Sequence, residues 1–362
     1  MKILFFEDSS QSIYGGGQKI SKIILEKLIF DNVVILVDFK GSVKFQDDIK
    51  NNVSSLIILK TTFFKNKLIQ RISQFFYFIL NLIYVIRITL KNKPDLIYTA
   101  TKTGILYSFF LNIFFGKKFI FHAHMSMEKS FLNYILCYIL KRANNTIAVS
   151  NYVKNTIIQR NNNVKICVIH NPIEFSINKL NINKTEIINF SFFGTLKTEK
   201  GIELIVKAAN YFQSNYPKIQ FSIYGDGPLK NDLISKNIQN MCVHGHIDNV
   251  EDHLESTDVL LLPSIIPEAC PTVILQAMSK GIPTITSNIG GQKELVIEKW
   301  NGLLINKNDL ESLIYNIVLI NSDIELYNFL ANNNISEIKK YNSLNDYKIK
   351  INNIINESIT VR

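Results

Sequence analysis

The chain is short of cysteine, of charge and, in its first half, of acidic residues, and each shortage removes a class of function. Four cysteines (Cys137, Cys167, Cys242, Cys270) are scattered over 362 residues with no C-x-x-C pair. Neither a zinc ribbon nor a disulfide framework is indicated, and they read as isolated thiols of a reducing compartment. Charged residues make up 19%, below the roughly 25% of average soluble proteins, so part of the surface is expected to face something other than bulk water. The most apolar window, "FFYFILNLIYVIRITL" (75 to 90), is 16 residues long and contains Asn81 and Arg87. That is short of the roughly 20 residues that span a bilayer, and no transmembrane helix is expected. The start, "MKILFFEDSS", turns acidic after four apolar residues and lacks the long apolar run and cleavage site of a signal peptide. The net charge of +10 is uneven: residues 1 to 175 hold 23 Lys and Arg against 10 Asp and Glu, and the remainder hold 17 against 20. The basic character belongs to the N-terminal half. No recognised nucleic-acid module accompanies it, so nucleic acid is not an expected partner.

What is present is alternation. "KILFF", "VVILV", "LIILK", "DLIYT", "KFIFH", "TIAVS" and "KICVIH" have the continuous apolar character of buried parallel strands. Helical periodicity fills 18 to 29, 66 to 91, 103 to 115, 130 to 142 and 151 to 159 between them. A polar stretch after "HNPIE" (170 to 174), "FSINKLNINKTEI", breaks the pattern as a linker. A second series follows, with "NFSFFG", "IQFSIYG", "MCVHG", "DVLLLPS" and "PTITS" as strands and helices near 200 to 212, 228 to 237, 271 to 280 and 308 to 320. The expectation is α/β, two Rossmann-like domains facing each other across a cleft, over 1–172 and 173–340. A helical tail, 341–362, is available to return to the first domain.

Between the strands lie short motifs with chemical content. "YGGGQK" (14 to 19) occupies the first strand-to-helix turn, where glycines let the backbone approach a ligand and a helix start offers N–H donors to an anion; taken alone it is equally ordinary turn chemistry. "FFGTLKTEKG" (192 to 201) fills the equivalent corner of the second domain, with Gly194 for close approach and Lys200 as a point charge for a diphosphate. "YGDGP" (224 to 228) reads as a turn. His122 and His124 in "FHAHMS" end a strand on one face, without the partner ligands a metal would need. In "PEACPTVILQAMSKG" (267 to 281), Pro271 suits the first turn of a helix, and Glu268 lies just ahead of it, where free N–H groups favour negative charge and the carboxylate can accept hydrogen bonds from ligand hydroxyls. "GGQKE" (290 to 294) makes another glycine-lined corner.

Taken in order, the Gly-rich first loop, "KPDLIY", "HAH", "VIHNPIE", "GTLKTEKG", "YGDGP", "HGHI", "DVLLLPS", Glu268 with Gln276 and "GGQKE" resemble the family-4 retaining glycosyltransferases of the GT-B fold over nearly the whole chain. The resemblance implies a nucleotide-sugar donor, a glycan acceptor and no cofactor or metal, in keeping with the lack of a D-x-D triplet. It implies Glu268, His124 and Lys200 as catalytic residues, and Gly16, Gly17, Gly194, Thr195, Pro271, Thr272 and Gln276 as donor-binding. Glu268 matches the glutamate that binds donor-sugar hydroxyls, and Gln276 stands where relatives carry a second glutamate that binds the ribose. Thr195 stands where many relatives carry an arginine for the diphosphate. Family relatives often elongate lipid-linked glycans of the bacterial envelope, which implies a cytoplasmic enzyme, peripheral at the inner face of the membrane, with a polyprenyl-diphosphate-linked acceptor. Residues 60 to 94 carry seven Lys and Arg and no acid, a composition suited to an anionic membrane surface. Within that helix, positions 68, 72, 75, 79, 83 and 86 are expected to face the core, leaving Tyr77, Phe78, Leu80, Tyr84 and Val85 on other faces with Arg71 and Arg87. A sugar-nucleotide epimerase of similar fold and a non-catalytic partner subunit remain alternative readings.

Overall fold

The computed structural model describes residues 1–8, 16–28, 32–39, 43–60, 67–173 and 184–360. Tyr14, Gly15 and most of the expected linker lie outside the described residues, as do the side chains of Leu68 and Arg71. The chain divides into two compact units, Met1–Pro172 with Leu344–Arg362, and Ile173–Ser343.

The first unit is built from β1 (Lys2–Phe6), α1 (Gly16–Ile23), β2 (Val33–Phe39), α2 (Val43–Ile49), β3 (Ser55–Leu59), α3 (Lys67–Asn92), β4 (Leu96–Thr99), α4 (Lys102–Phe115), β5 (Lys118–Ala123), α5 (Phe131–Ile139), β6 (Asn145–Ala148), α6 (Asn151–Ile158) and β7 (Ile166–Val168). Its parallel sheet runs β3-β2-β1-β4-β5-β6-β7. Central strands covered on both faces have no polar side to show, hence the unbroken apolar runs that mark them. Phe5 stands opposite Leu36 and Tyr98 and stacks on Tyr98 at 5.1 Å between ring centroids.

The second unit comprises β8 (Asn189–Phe193), α7 (Ile202–Asn215), β9 (Gln220–Tyr224), α8 (Lys230–Ser235), β10 (Met241–Gly245), α9 (Glu251–Leu254), β11 (Val259–Leu262), α10 (Thr272–Ser279), β12 (Thr284–Ser287), α11 (Gln292–Leu295), β13 (Gly302–Ile305), α12 (Leu310–Ser322) and α13 (Ile324–Glu337). Its sheet, also parallel, runs β10-β9-β8-β11-β12-β13. The edge strand β13 is an addition to the five strands expected here; "GLLI" is four residues long, too short a run to stand out by pattern. The last helix, α14 (Leu344–Thr360), packs on the first unit. Tyr347, Ile351 and Ile355 join a core that holds Ile3, Phe5 and Ile120, and Asn145 Nδ2 donates to Ser358 Oγ at 2.8 Å.

α3 departs from expectation in two ways. It runs 26 residues, and the stretch Ile72–Asn92 is long and apolar enough by length and composition to cross a membrane, more than the 16-residue window indicated. Its packed face is also the other one. Phe78 stacks on Tyr107 of α4 at 5.0 Å, and Asn81, Val85, Ile88 and Thr89 are buried, whereas Ile72, Phe75 (70% exposed), Ile79 and Ile83 are open. A helix that is apolar all round gives periodicity little to choose between faces. Asn81 suits the inner side, where its Nδ2 donates to the Lys60 carbonyl at 2.9 Å, whereas the bond from Thr89 Oγ1 to the Val85 carbonyl at 2.9 Å lies within the helix and is available on any face.

Just past β1, Glu7 is sealed into the first unit. Its Oε1 accepts the Asp8 N–H at 2.9 Å, and its Oε2 is buried with no partner among the described residues. Burial pushes the carboxyl up to about 7, opposed by the Asp8 N–H and reinforced by repulsion from Asp38. A carboxyl raised in the fold contributes stability that is complete below its unfolded value of 4.5 and is lost as pH rises through about 7. Glu7→Gln is therefore expected to flatten the fall in melting temperature between about pH 5 and about pH 8. Parallel falls in parent and variant would show that Glu7 is not the titrating group.

Candidate active site

In the second sheet the chain runs outward from β8 through β9 to β10 and then crosses back to β11 on the other side of β8, so the direction of winding reverses between β8 and β11. The C-terminal ends of these two strands flank a topological switch point, where open α/β sheets hold ligands. Gly194 and Thr195 follow β8 here, and Pro263 and Ser264 follow β11. Between β8 and α7 the chain makes a single 3₁₀ turn, Thr198–Lys200, closed by Gly201 at φ 73°. A Cβ on Gly201 would lie 1.9 Å from the Pro263 carbonyl oxygen. Only glycine meets both demands, so the turn docks on the loop after β11, where the Ile265 N–H donates to the Glu199 carbonyl at 2.9 Å. That docking delivers Lys200 to Glu268, with Nζ 2.5 Å from Oε2, and Ser264 Oγ donates to Oε1 at 2.5 Å. The pair is neither sealed nor free: the lysine side chain is 27% exposed and the glutamate 15%. Both carboxylate oxygens are held, which fixes the direction of the head group.

The loop that carries Glu268 is clamped from behind. Gln292 Oε1 accepts the Glu268 N–H at 3.0 Å, and the Gly291 N–H donates to the Glu268 carbonyl at 2.7 Å. A Cβ on Gly291 would stand 2.1 Å from the Ala269 carbonyl oxygen, so the glycine doublet permits the approach. α10 then begins at Thr272, with Pro271 extended at the N-cap position and no side-chain cap. Proline was expected one step later, in the first turn. The cap position leaves the N–H groups of Thr272 and Val273 ahead of the first Ile274-to-Pro271 bond, and orphan donors of this kind favour an anion. Gln276 lies one turn further on, half-buried. "YGDGP" proves to be a backing turn, since the Gly194 N–H donates to the Tyr224 carbonyl at 3.0 Å and the Leu196 N–H to that of Asp226 at 2.9 Å. It fixes the path of the chain through Gly194 and Thr195.

In the first unit, His124 follows β5, and a Cβ on Gly17 would come 3.7 Å from His124 Cβ, so Gly17 and the histidine are neighbours; a Cβ on Gly16 would meet nothing within 4 Å among the described residues. His122 and His124 share a face with ring centroids 4.1 Å apart, and Tyr98 Oη lies 2.7 Å from His122 Nδ1. Burial lowers His124 to about 4, and lowers His122 well below the usual imidazole range with His124 adding to the effect. Both rings are neutral near pH 7. Neither ring nitrogen of His124 has a partner among the described residues, and no cluster of three metal-ligating side chains occurs among them.

Within the second unit the structure thus brings Lys200, Glu268 and the start of α10 to one strand-end region, as it brings Gly17 and His124 together within the first. Ser264, Gln292 and Tyr98 were not anticipated. The doublet Gly290–Gly291 was the available signal for Gln292; Ser264 and Tyr98 end the runs "DVLLLPS" and "KPDLIY", where they read as strand ends until Glu268 and His122 are brought against them.

Residues 46–176 match the family described as Glycosyltransferase Family 4, and residues 188–323 the family described as Glycosyl transferases group 1. The chain is similar to the UDP-Gal:alpha-D-GlcNAc-diphosphoundecaprenol alpha-1,3-galactosyltransferase of Escherichia coli, 32% identical over 190 residues, 47% of this chain and 48% of that one. It is also similar to the GalNAc-alpha-(1->4)-GalNAc-alpha-(1->3)-diNAcBac-PP-undecaprenol alpha-1,4-N-acetyl-D-galactosaminyltransferase of Campylobacter jejuni, 28% identical over 148 residues, 39% of this chain and 41% of that one. The matched region spans about half the length of the curated relatives. Among solved structures, HepE of Anabaena with UDP and glucose has a TM-score of 0.78 at 18% identity, covering 98% of this chain and 99% of that one. Sucrose-phosphate synthase from Thermosynechococcus elongatus has 0.81 at 17%, covering 98% of each. At such identities the likeness is one of fold.

Proposed function

Because the chain belongs to the glycosyltransferases with family-4 and group-1 domains in a GT-B fold, we propose that it moves a sugar from a nucleotide-sugar donor to a glycan acceptor with retention of anomeric configuration. The observation that carries the reading is the Lys200–Glu268–Ser264 cluster at the switch point of the second sheet. Glu268, its head group fixed, accepts hydrogen bonds from donor-sugar hydroxyls. Lys200 and the N–H groups that open α10 face the departing diphosphate and offset its charge, which is where preorganised dipoles lower a barrier most. Positive charge is supplied by the chain itself, so the reading needs no metal or cofactor. In the second unit Gly194 and Thr195 line the donor and Gln276 meets its ribose; in the first, His124 with Gly16 and Gly17 is the proposed sugar-binding group.

The test is the melting temperature against a panel of nucleotide sugars. One of them at about a hundred times its Kd should stabilise the protein by about 2.7 kcal/mol; no shift with any donor would contradict the reading. The same measurement tests Gln276. Gln276→Glu should keep or raise donor affinity, and Gln276→Leu should lower it by about 1 kcal/mol or more, because ribose hydroxyls then go unpaired. Equal affinity of the Gln and Leu proteins would take this position out of the donor site.

The acceptor proposed is a polyprenyl-diphosphate-linked glycan, and the setting the inner face of the cytoplasmic membrane, in synthesis of a cell-surface polysaccharide such as lipopolysaccharide or capsule. Both relatives named above act on diphosphoundecaprenol-linked glycans. The surface of this chain supports the same setting: Ile72, Phe75, Phe76, Ile79, Ile83 and Tyr84 of α3 are exposed, as are Phe114 of α4 and Phe131 (82%) of α5. Apolar and aromatic side chains in a basic segment suit an anionic membrane interface. The protein should co-sediment with anionic vesicles, less so as salt screens the charge, and poorly with neutral ones. Protein left in the supernatant at low salt would end the membrane claim and leave the transferase claim standing.

A further inference from the structure

Between Asp48 and Glu174 the sequence places seventeen Lys and Arg against two acids, Asp95 and Glu128. Glu128 lies in a groove of about 650 Å³ that also takes in Lys129, Tyr134, Tyr152 and Arg160, a volume in the range of small-ligand sites. The groove opens four residues past His124, where the loop after β5 meets the start of α5 and one side of α6. Its walls are preformed. The Met127 N–H donates to Thr156 Oγ1 at 3.0 Å, and Asn133 Nδ2 donates to the Glu128 carbonyl at 2.8 Å, which ties the loop to both helices. The one carboxylate is already engaged, with Tyr152 Oη donating to Glu128 Oε1 at 2.8 Å. Arg160 is half-buried and its guanidinium is held by a bond to the Thr156 carbonyl, while Lys129, which also lines the groove, is exposed. A planar fork and a point charge lining one groove are the two kinds of cation that a diphosphate takes.

The surroundings say what the rest of the ligand is. Tyr134, which lines the groove, belongs to an exposed stripe of α5 with Phe131, Ile135 and Tyr138, and Lys141 Nζ sits 3.8 Å above the Tyr138 ring. An apolar, aromatic helix face with a cation at its end is the chemistry of a lipid interface. We propose that this groove binds the diphosphate of a polyprenyl-diphosphate-linked acceptor, with Lys129 and Arg160 on the phosphates and the lipid following the open face of α5 into the bilayer. The inference rests on the lipid-linked acceptor reading above and assigns that acceptor its place.

The test is co-sedimentation of the full chain with neutral vesicles carrying a few mole per cent of polyprenyl diphosphate, against vesicles charge-matched with phosphatidylglycerol. The parent should bind the diphosphate vesicles about tenfold more tightly. Lys129→Gln with Arg160→Gln should lose that preference and keep ordinary binding to phosphatidylglycerol. Should the double variant melt early, Lys129→Glu, at an exposed position, should show the same loss. No preference in the parent, or a preference that survives in the variants, overturns the proposal. Inorganic diphosphate supplies the third arm: if it alone protects the groove against melting as well as the lipid does, the ligand is a soluble diphosphate and the lipid assignment falls. Neither cation belongs to the donor machinery, so the nucleotide-sugar melting shift should be unchanged in the variants. Loss of that shift in the parent would sink the transferase reading, a result separable from the vesicle outcome at the groove.

Discussion

Glu268→Ala is expected to lower transfer at least about a hundredfold, about 2.7 kcal/mol in barrier terms, while leaving the fold in place. The carboxylate is reached by Lys200 on one oxygen and Ser264 on the other, and its main chain is clamped by Gln292 and Gly291. Those backbone contacts survive truncation of the side chain. What is lost is the acceptor of donor-sugar hydroxyl bonds, and with it the orientation of the sugar, so kcat/KM should fall with little change in melting temperature. Steady-state kinetics beside a thermal melt separates the two. Activity within a few-fold of the parent would mean that another residue holds the sugar.

Lys200→Ala should cost about a hundred- to a thousandfold in kcat, the range for removing a preorganised charge stabiliser. Two effects add: the departing diphosphate loses its cation, and Glu268 loses the partner that directs it. Lys200→Arg separates them, since it keeps charge but not the compact head that fits beside Ser264; partial recovery is expected. The double variant with Glu268→Ala should be far less impaired than the product of the two single losses, because the residues act as a unit. Full additivity, or a Lys200→Ala protein with parental kcat, would separate Lys200 from the leaving group.

The parallel sheets were legible because their inner strands are buried on both faces and so announce themselves as apolar runs, while β3, β7 and β10 at the edges are partly exposed; twelve of the thirteen strands stand where β-rich runs were read. Side-chain direction was harder. In α3 nearly every position is apolar, and the polar contact that marks the packed face, Asn81 on the Lys60 carbonyl, depends on a residue outside the helix. For the site, Lys200 and Glu268 could be singled out from their corners, yet their pairing depends on Gly201 docking on Pro263, a contact between segments some sixty residues apart. Gln292 illustrates the same limit. A glutamine after two glycines reads as a turn residue until the loop at Glu268 is brought against it. Nothing in the pattern of the final helix named the core around Ile3 and Phe5 as the surface it joins.

The central claim is sugar transfer from a nucleotide donor, and the most direct measurement is release of nucleoside diphosphate from the donor that stabilises the protein, with and without a polyprenyl-diphosphate-linked acceptor, followed by the anomeric coupling in the product. Release is expected to depend on acceptor, and the product to keep the anomeric configuration of the donor. Release without acceptor accompanied by an altered donor sugar would identify an epimerase, and no release with any donor a non-catalytic subunit; either result would contradict the central claim.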